Sequence, residues 1–357
     1  MKLLLISLCT TGVMREHFIS YSKMFSKNNE LYCVTNDNVT NDELNAIETL
    51  NVCYKRNKPF SYFSLKSLKK IKNFIKSVSP EVVYVFTPHP VNILLARFLK
   101  RYNVIFQVHD PIAHSGTGLL DKIVLNKQLK QYYKISKKFI VAGEELKRQI
   151  LLTSHVTEDK IEVIPLGLVD NFSDLEKTTD ETCDIDLLFY GRIEYYKGLD
   201  TLATALSKLP FKVSTYIVGK GDVKAVYGPE INFDNNVKII SEFVPDEELA
   251  SLIRRSKIVV MPYRDATGTM TVGQSFYFSK PVIASNVGVF PEYVATGGMI
   301  FDRENPDKLA ECIEKLLTDR SLYDKLSENA GKIYEEKFTL SRVCQRHQDV
   351  FDCISLQ

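Results

Sequence analysis

Short apolar runs rich in β-branched and aromatic residues recur along this chain, each followed by a stretch long enough for an amphipathic helix. In the first half they are Leu3–Leu8, Leu31–Thr35, Val82–Thr87, Val104–Val108, Phe139–Val141 and Ile161–Ile164. A second set begins after about residue 185 with Asp186–Tyr190, Lys212–Val218, Val237–Ile239, Ile258–Met261, Pro281–Ala284 and Gly298–Phe301. Runs without polar alternation are strands buried on both faces, and the helix-length spacers supply the layers that bury them. The pattern predicts an α/β protein of two doubly wound, Rossmann-like domains, each with its own parallel sheet.

A chain of 357 residues is long enough for two such domains. The join falls in VIPLGLVDNFSDLEKTTDETCD, where Pro165 and Gly167 end a strand and an acidic, Thr-rich stretch lacks apolar periodicity. We expect domains over residues 1–165 and 166–340, with a helix in 341–357 packing back on the first domain. Helical patterns are also expected at Lys308–Thr318, Leu322–Lys337 and Ser341–Ile354.

With 45% hydrophobic and 25% charged residues, the chain has the composition of a packed globular protein and not of a disordered one. No apolar run approaches the roughly 20 residues that cross a bilayer, and the opening MKLLLISLC reads as a buried strand, without a small-residue cleavage site after it. Seven scattered cysteines without a CxxC pair fit free thiols of a cytoplasmic protein, most of them acting as small core residues. Net charge is +2, but residues 1–165 hold 24 Lys and Arg against 14 Asp and Glu, whereas the remainder holds 22 against 30. A basic half beside an acidic one suits an anionic partner for the first half, or lysines that only solubilise a surface.

Two segments carry chemistry. In LFYGRIEYYKGLD an apolar strand enters a glycine turn at Gly191 with Arg192 and Lys197 five positions apart, and a helix follows. At the carboxyl end of such a strand these cations are placed to neutralise a diphosphate, the alternative being a solvated loop paired with acidic neighbours. In MPYRDATGTMTVGQSFYF the small residues Ala266 to Thr269 let backbone amides approach a ligand where a new helix begins, the alternative being an ordinary Thr-capped helix. Asp184-Ile185-Asp186 spells a DxD metal motif but precedes a strand instead of ending one, so no metal site is assigned. His89 in FTPHPVN fits a structural histidine better than a cleft residue, and Glu292 in FPEYV fits a helix start. From Leu65 to Lys76 apolar Leu65, Leu68, Ile71, Phe74 and Ile75 share a face, with five lysines elsewhere. Such a helix covers a sheet with its outer face solvated, or lies on an anionic membrane, or does both.

The run FYGRIEYYKGLDTL, YIVGKGD, EFVPDEELASLIRRSKIVVMPY, SKPVIASNVGVFPEYV and NPDKLAECIEKLL, in this order and spacing, resembles the nucleotide-sugar-binding domain of family four glycosyltransferases with the GT-B fold. VIPLGLVDNF resembles that family's linker and QVHDPIAHSG its catalytic histidine segment, so the likeness covers most of residues 80–318 and thins before them. The resemblance implies retaining, metal-independent transfer of a hexose-type sugar from a nucleotide-diphosphate donor, the co-substrate, with no further cofactor. The active site is expected in a cleft between the domains. The acceptor is expected to be a glycan or a lipid-linked molecule of bacterial cell-surface polysaccharide synthesis, met in the cytoplasm or at the inner face of the membrane. Nucleic acid is not an expected partner.

Carried over by this resemblance, His109 faces the reacting sugar, and Arg192 and Lys197 bind the diphosphate. Gly191, Phe243, Val244, Thr267, Gly268, Thr269, Met270, Thr271 and Gln274 line the donor, with Phe243 and Val244 gripping the base. Thr11, Gly12, Asp110 and His114 lie on the acceptor side. One departure stands out: Ala266 and Gln274 occupy the positions where the family commonly has two glutamates. The Ala-Thr followed by small residues resembles a sub-group in which backbone amides take over that work. A silent nucleotide-sugar-binding partner subunit and an epimerase of the same fold are the alternatives, whereas a dehydrogenase is disfavoured because no GxGxxG follows the first strand.

Overall fold

The computed structural model describes residues 1–10, 12–44, 47–52, 65–112, 118–173, 175–177 and 182–356. They form two compact units, Met1–Val169 together with Leu340–Gln357, and Asp170–Thr339. Both are parallel sheets covered by helices, the architecture that non-alternating apolar strands require.

The first sheet holds β1 (Lys2–Ser7), β2 (Glu30–Asn36), β3 (Glu48–Val52), β4 (Val82–Val85), β5 (Asn103–Val108), β6 (Lys138–Val141) and β7 (Ile161–Val163), in the order β3-β2-β1-β4-β5-β6-β7. The second holds β8 (Ile185–Tyr190), β9 (Thr215–Val218), β10 (Val237–Ile240), β11 (Ser256–Met261), β12 (Val282–Ser285) and β13 (Gly298–Phe301), in the order β10-β9-β8-β11-β12-β13. In both, the chain starts in the middle, winds to one edge, then returns to wind to the other. The two central strands, β1 with β4 and β8 with β11, therefore send their loops in opposite directions and leave a crevice at their carboxyl ends.

All twelve apolar runs hold a strand, and the thirteenth strand, β3, was not expected. It is a short edge strand, buried only at Val52, so it carries no apolar run. The helix expected over Leu322–Lys337 is Arg320–Ile333 followed by a wider turn at Tyr334–Phe338. Among the described cysteines Cys33, Cys312 and Cys344 are buried while Cys9, Cys183 and Cys353 are exposed, so core filling accounts for half of them; Cys53 lies outside the described residues.

Helix Leu340–Ser355 completes the core of the first unit. Phe351 meets Phe25 at 5.1 Å and Tyr84 at 5.5 Å between ring centroids, and His347 meets Tyr21 at 5.3 Å. One turn before Tyr21 on the same face of helix Val13–Phe25, His17 is fully buried with Nδ1 3.1 Å from the Val13 carbonyl and Nε2 3.1 Å from that of Gly167. Burial pulls the pKa of both His17 and His347 down to about 4, so both rings are neutral near pH 7. Gln348 exchanges hydrogen bonds with Asn29 at 2.6 and 3.3 Å, fixing the register of this helix on the unit.

Because Phe351 is fully buried among aromatic rings, Phe351→Ala should destabilise the unit containing it by about 3–5 kcal/mol, whereas Leu356→Ala, at an exposed side chain, should be neutral. Urea unfolding followed by tyrosine fluorescence checks this, and a Phe351→Ala midpoint equal to wild type would show that the helix is not part of that core.

Candidate active site

In the second unit the crevice between β8 and β11 is built by backbone meeting backbone. Gly191, in the positive-φ region at 126°, accepts the turn out of β8, and its N–H donates to the Val218 carbonyl at 2.9 Å. A Cβ on Gly219 would lie 1.8 Å from the Gly191 oxygen, and one on Gly198 1.9 Å from the Pro262 oxygen. The loops after β8, β9 and β11 therefore touch at a distance that only glycine allows.

Residues Tyr195–Lys197 form one 3-10 turn that delivers Lys197 into this crevice. Its Nζ lies 3.8 Å from the centre of the Tyr263 ring and 4.9 Å from that of Tyr196, a cation–π arrangement. Burial lowers the pKa of this ammonium, with Tyr196 and Glu194 opposing the shift, and among the described residues no carboxylate forms an ion pair with it. Arg192 is placed differently: its side chain is 74% exposed and pairs with Glu194 at 3.1 Å. The two cations read as a pair in the sequence are thus one half-buried charge on aromatic faces and one solvated charge beside a carboxylate.

The second segment leaves β11 at Pro262. Ala266 is buried, Gly268 is exposed, and Thr267, Thr269 and Met270 are half-buried. Helix Thr271–Tyr277 then begins. The Thr269 hydroxyl accepts from the Thr271 N–H at 3.1 Å, so this amide is already capped by a side chain. Tyr190, the last residue of β8, donates its hydroxyl to the Thr271 carbonyl at 2.9 Å and ties the start of this helix to the strand carrying Gly191. Gln274 is buried one turn further on. Beyond β10, Phe243 is 78% exposed, an unusual setting for a large aromatic, and Val244 is half-buried.

In the first unit His109 follows β5 and is half-buried. Its Nε2–H donates to the Phe86 carbonyl at 2.7 Å, which fixes the tautomer and leaves Nδ1 without the proton. Burial pushes the imidazole pKa down against the pull of Phe86 and Asp110. Asp110 is half-buried beside it. Gly12, at φ 53°, precedes helix Val13–Phe25, whose first turn donates the Arg15 N–H to the Gly12 carbonyl at 2.9 Å. Thr11 and His114 lie outside the described residues.

Other sequence candidates have structural employment. His89 caps helix Pro90–Leu99, its Nδ1 accepting from the Val91 N–H at 3.3 Å. Arg255 grips both carboxylate oxygens of Asp184 at 2.8 and 2.6 Å, and Asp186 binds Lys257 at 2.7 Å and the Ser214 N–H at 2.9 Å. Glu292 stands in the first turn of helix Phe290–Val294.

Sequence reasoning missed the residues that shape the loops. Asn36 accepts from Thr10 and donates to the Leu8 carbonyl at 3.2 Å, and Asn38 donates to the Thr10 carbonyl at 3.3 Å, so two asparagines hold the loop after β1. Arg264 and Tyr263 do comparable work after β11. The available signal was a Tyr-Arg pair directly behind an apolar strand, where solvent-facing loops usually begin.

Residues 27–171 match the family model described as Glycosyltransferase Family 4, and residues 171–333 match that described as Glycosyl transferases group 1. An uncharacterised glycosyltransferase of Methanocaldococcus jannaschii is 30% identical over 174 residues, 47% of this chain and 48% of that protein. The chain thus spans about half the length of that relative. The O-antigen chain mannosyltransferase C of Escherichia coli is 24% identical over 322 residues, 82% of this chain and 79% of that one. Among solved structures, Anabaena HepE in complex with UDP superposes with a TM-score of 0.80 at 16% identity, covering 99% of this chain and 100% of that one. WaaG, a glycosyltransferase involved in lipopolysaccharide biosynthesis, does so with a TM-score of 0.69 at 14% identity, covering 98% and 99%. With consecutive family models meeting at residue 171 and the fold matched over nearly its whole length, the chain belongs to the family four, group 1 glycosyltransferases, a retaining family of the GT-B fold.

Proposed function

We propose that this protein transfers a hexose from a nucleotide-diphosphate sugar to a glycan or lipid-linked acceptor in bacterial cell-surface polysaccharide synthesis, with retention at the anomeric carbon. The observation that carries the reading is the Lys197 ammonium, half-buried on Tyr263 at a strand-end crevice with no carboxylate paired to it among the described residues. A half-buried charge that no carboxylate pairs directly is prepared for an incoming anion. Support for the donor class comes from HepE, solved in complex with UDP-glucose, and for the acceptor class from the E. coli O-antigen mannosyltransferase.

On this reading negative charge develops on the β-phosphate as the sugar leaves, and Lys197 stabilises it, with Arg192 swinging from Glu194 to join it. Amides near Thr267 to Met270 add donors, Gln274 takes the ribose, and Phe243 with Val244 holds the base. His109 positions the sugar through its unprotonated Nδ1 and is not the nucleophile. The acceptor hydroxyl attacks from the face the phosphate is leaving, and its proton passes to that phosphate. Gly12, Asp110, Thr11 and His114 form the acceptor side. Because Ala266 replaces a carboxylate common in the family, a silent donor-binding subunit is the second reading; donor turnover by the purified protein separates the two.

Lys197→Ala should lower turnover by about 10²-fold or more, and Arg192→Ala by at least ~10-fold, with both variants folded. Steady-state kinetics with UDP-, GDP- and ADP-sugars test this, and wild-type turnover in both variants would refute the phosphate assignment. Excess EDTA should leave activity largely intact, because fixed cations and amides neutralise the leaving group. Complete loss restored by manganese or magnesium would show that a divalent ion takes part.

The place of action on this reading is the inner membrane surface. In helix Leu65–Val78 most of the apolar face is spent within the unit, with Ile71, Ile75 and Val78 buried and Leu65 at its start exposed, so Lys66, Lys69, Lys70 and Lys76 offer an exposed charged face with little beside it to insert. Apolar anchors stand elsewhere in the unit: Leu119, Leu120 and Ile123 are 74%, 78% and 53% exposed on helix Leu119–Ile135, which also exposes Lys127 and Lys130. Lysines near an anionic surface contribute about 1 kcal/mol each at low salt. Co-sedimentation with anionic liposomes should fall when Lys66, Lys69, Lys70, Lys72 and Lys76 become Gln, and fall further with Leu119 and Leu120 changed to Ser. Equal, salt-insensitive partitioning of all three proteins would rule out membrane association through these helices.

A further inference from the structure

We propose that Arg264 is a positioning residue for Lys197, holding the turn that presents it; this rests on the reading of Lys197 as the diphosphate ligand. The turn Tyr195–Lys197 has little stability of its own. It closes with two short-range bonds, Lys197 N–H to the Glu194 carbonyl at 2.9 Å and Gly198 N–H to the Tyr195 carbonyl at 3.3 Å, and then reverses at Gly198 with φ 68°. Three-residue 3-10 turns persist when neighbours claim their remaining groups.

Arg264 claims most of them. Its backbone N–H donates to the Tyr196 carbonyl at 2.7 Å and its Nη1 to the Tyr195 carbonyl at 2.8 Å. Its Nη2 binds Asp200 at 2.6 Å in the helix after the turn, and its Nε binds Glu304 at 2.8 Å beyond β13. The guanidinium also stacks 4.3 Å from the Tyr195 ring centre, and the side chain is only 13% exposed. One residue thus meets Tyr195, Tyr196 and Asp200 around Lys197, using the fixed fork of donors that lysine lacks. Tyr227 closes the far side, donating its hydroxyl to the Glu194 carbonyl at 2.7 Å.

The two cations of this corner are therefore divided in their work. Arg264 is neutralised by Asp200 and Glu304 and spends its donors on protein. Lys197 rests its ammonium on the Tyr263 ring, and Tyr263 is the residue before Arg264 in the chain. Movement of Arg264 would shift both the backbone under Lys197 and the ring above it.

The test uses full-length protein whose lysines are reductively methylated with ¹³C, a change that keeps their charge. In wild type the Lys197 resonance, assigned by its absence in Lys197→Ala, should be displaced from the bulk lysine signals by the ring current of Tyr263. In Arg264→Ala and in the milder Arg264→Lys it should move into the bulk signals, and UDP affinity measured by calorimetry should fall at least ~10-fold. A Lys197 resonance that stays displaced in both variants overturns the proposal, even if UDP affinity falls, because Arg264 would then act by its charge alone. If Lys197→Ala binds UDP as wild type does while the resonance still moves in Arg264→Lys, Arg264 positions Lys197 but the diphosphate reading is wrong.

Discussion

The loops of the second unit depend on a contact that side chains would prevent. Gly198 lies against the Pro262 carbonyl, Gly219 against that of Gly191, and Gly288 against that of Ala266, each so near that a methyl group would fall within 2 Å of the oxygen. All three glycines have positive φ, so conformation and space demand the same residue. These contacts draw the exits of β8, β9, β11 and β12 together at one end of the sheet. Backbone packing thereby brings the loops that carry Gly191, Lys197 and Ala266 to one end of the sheet.

Within that frame, electrostatics are settled by what each charge is given as a partner. Arg264 has two carboxylates, two carbonyls and a ring, so its charge is consumed in structure. Lys197 has the Tyr263 ring face and a hydrogen bond with Tyr196, and no carboxylate ion pair among the described residues. Arg192 keeps its charge in water beside Glu194, where screening makes the pair weak and readily exchanged. On the proposed reading, a mobile charge and a fixed one are complementary means of meeting a donor that carries two phosphates.

What the sequence made legible follows from burial. Strands buried on both faces announce themselves as apolar runs, and β8 or β11 could be placed from composition alone. β3 could not, since four of its five residues are at least partly exposed and its place at the sheet edge is decided by pairing with β2. The amphipathic pattern from Leu65 to Ile75 was legible as a helix, but a pattern cannot say whether an apolar face is already covered; here Ile71 and Ile75 are buried. Conversely, helix Leu119–Ile135 has a weakly segregated sequence, and its exposed Leu119 and Leu120 emerge only from the packing. Arg264 illustrates the hardest class. Its partners Tyr195, Asp200 and Glu304 are separated from it by 40 to 69 positions, so no local spacing relates them.

The docking of helix Leu340–Ser355 on the first unit has a consequence for how the protein is made. Phe25 and Tyr84 emerge early in synthesis, yet the Phe351 ring that covers them is translated only after the whole of Asp170–Thr339. The second unit is continuous in sequence and has all its residues available first. Folding during synthesis is therefore expected to finish in the reverse of chain order, with aromatic surface on the first unit left uncovered meanwhile. A nascent chain arrested near residue 339 would display that surface to chaperones, and release of the final helix would withdraw it.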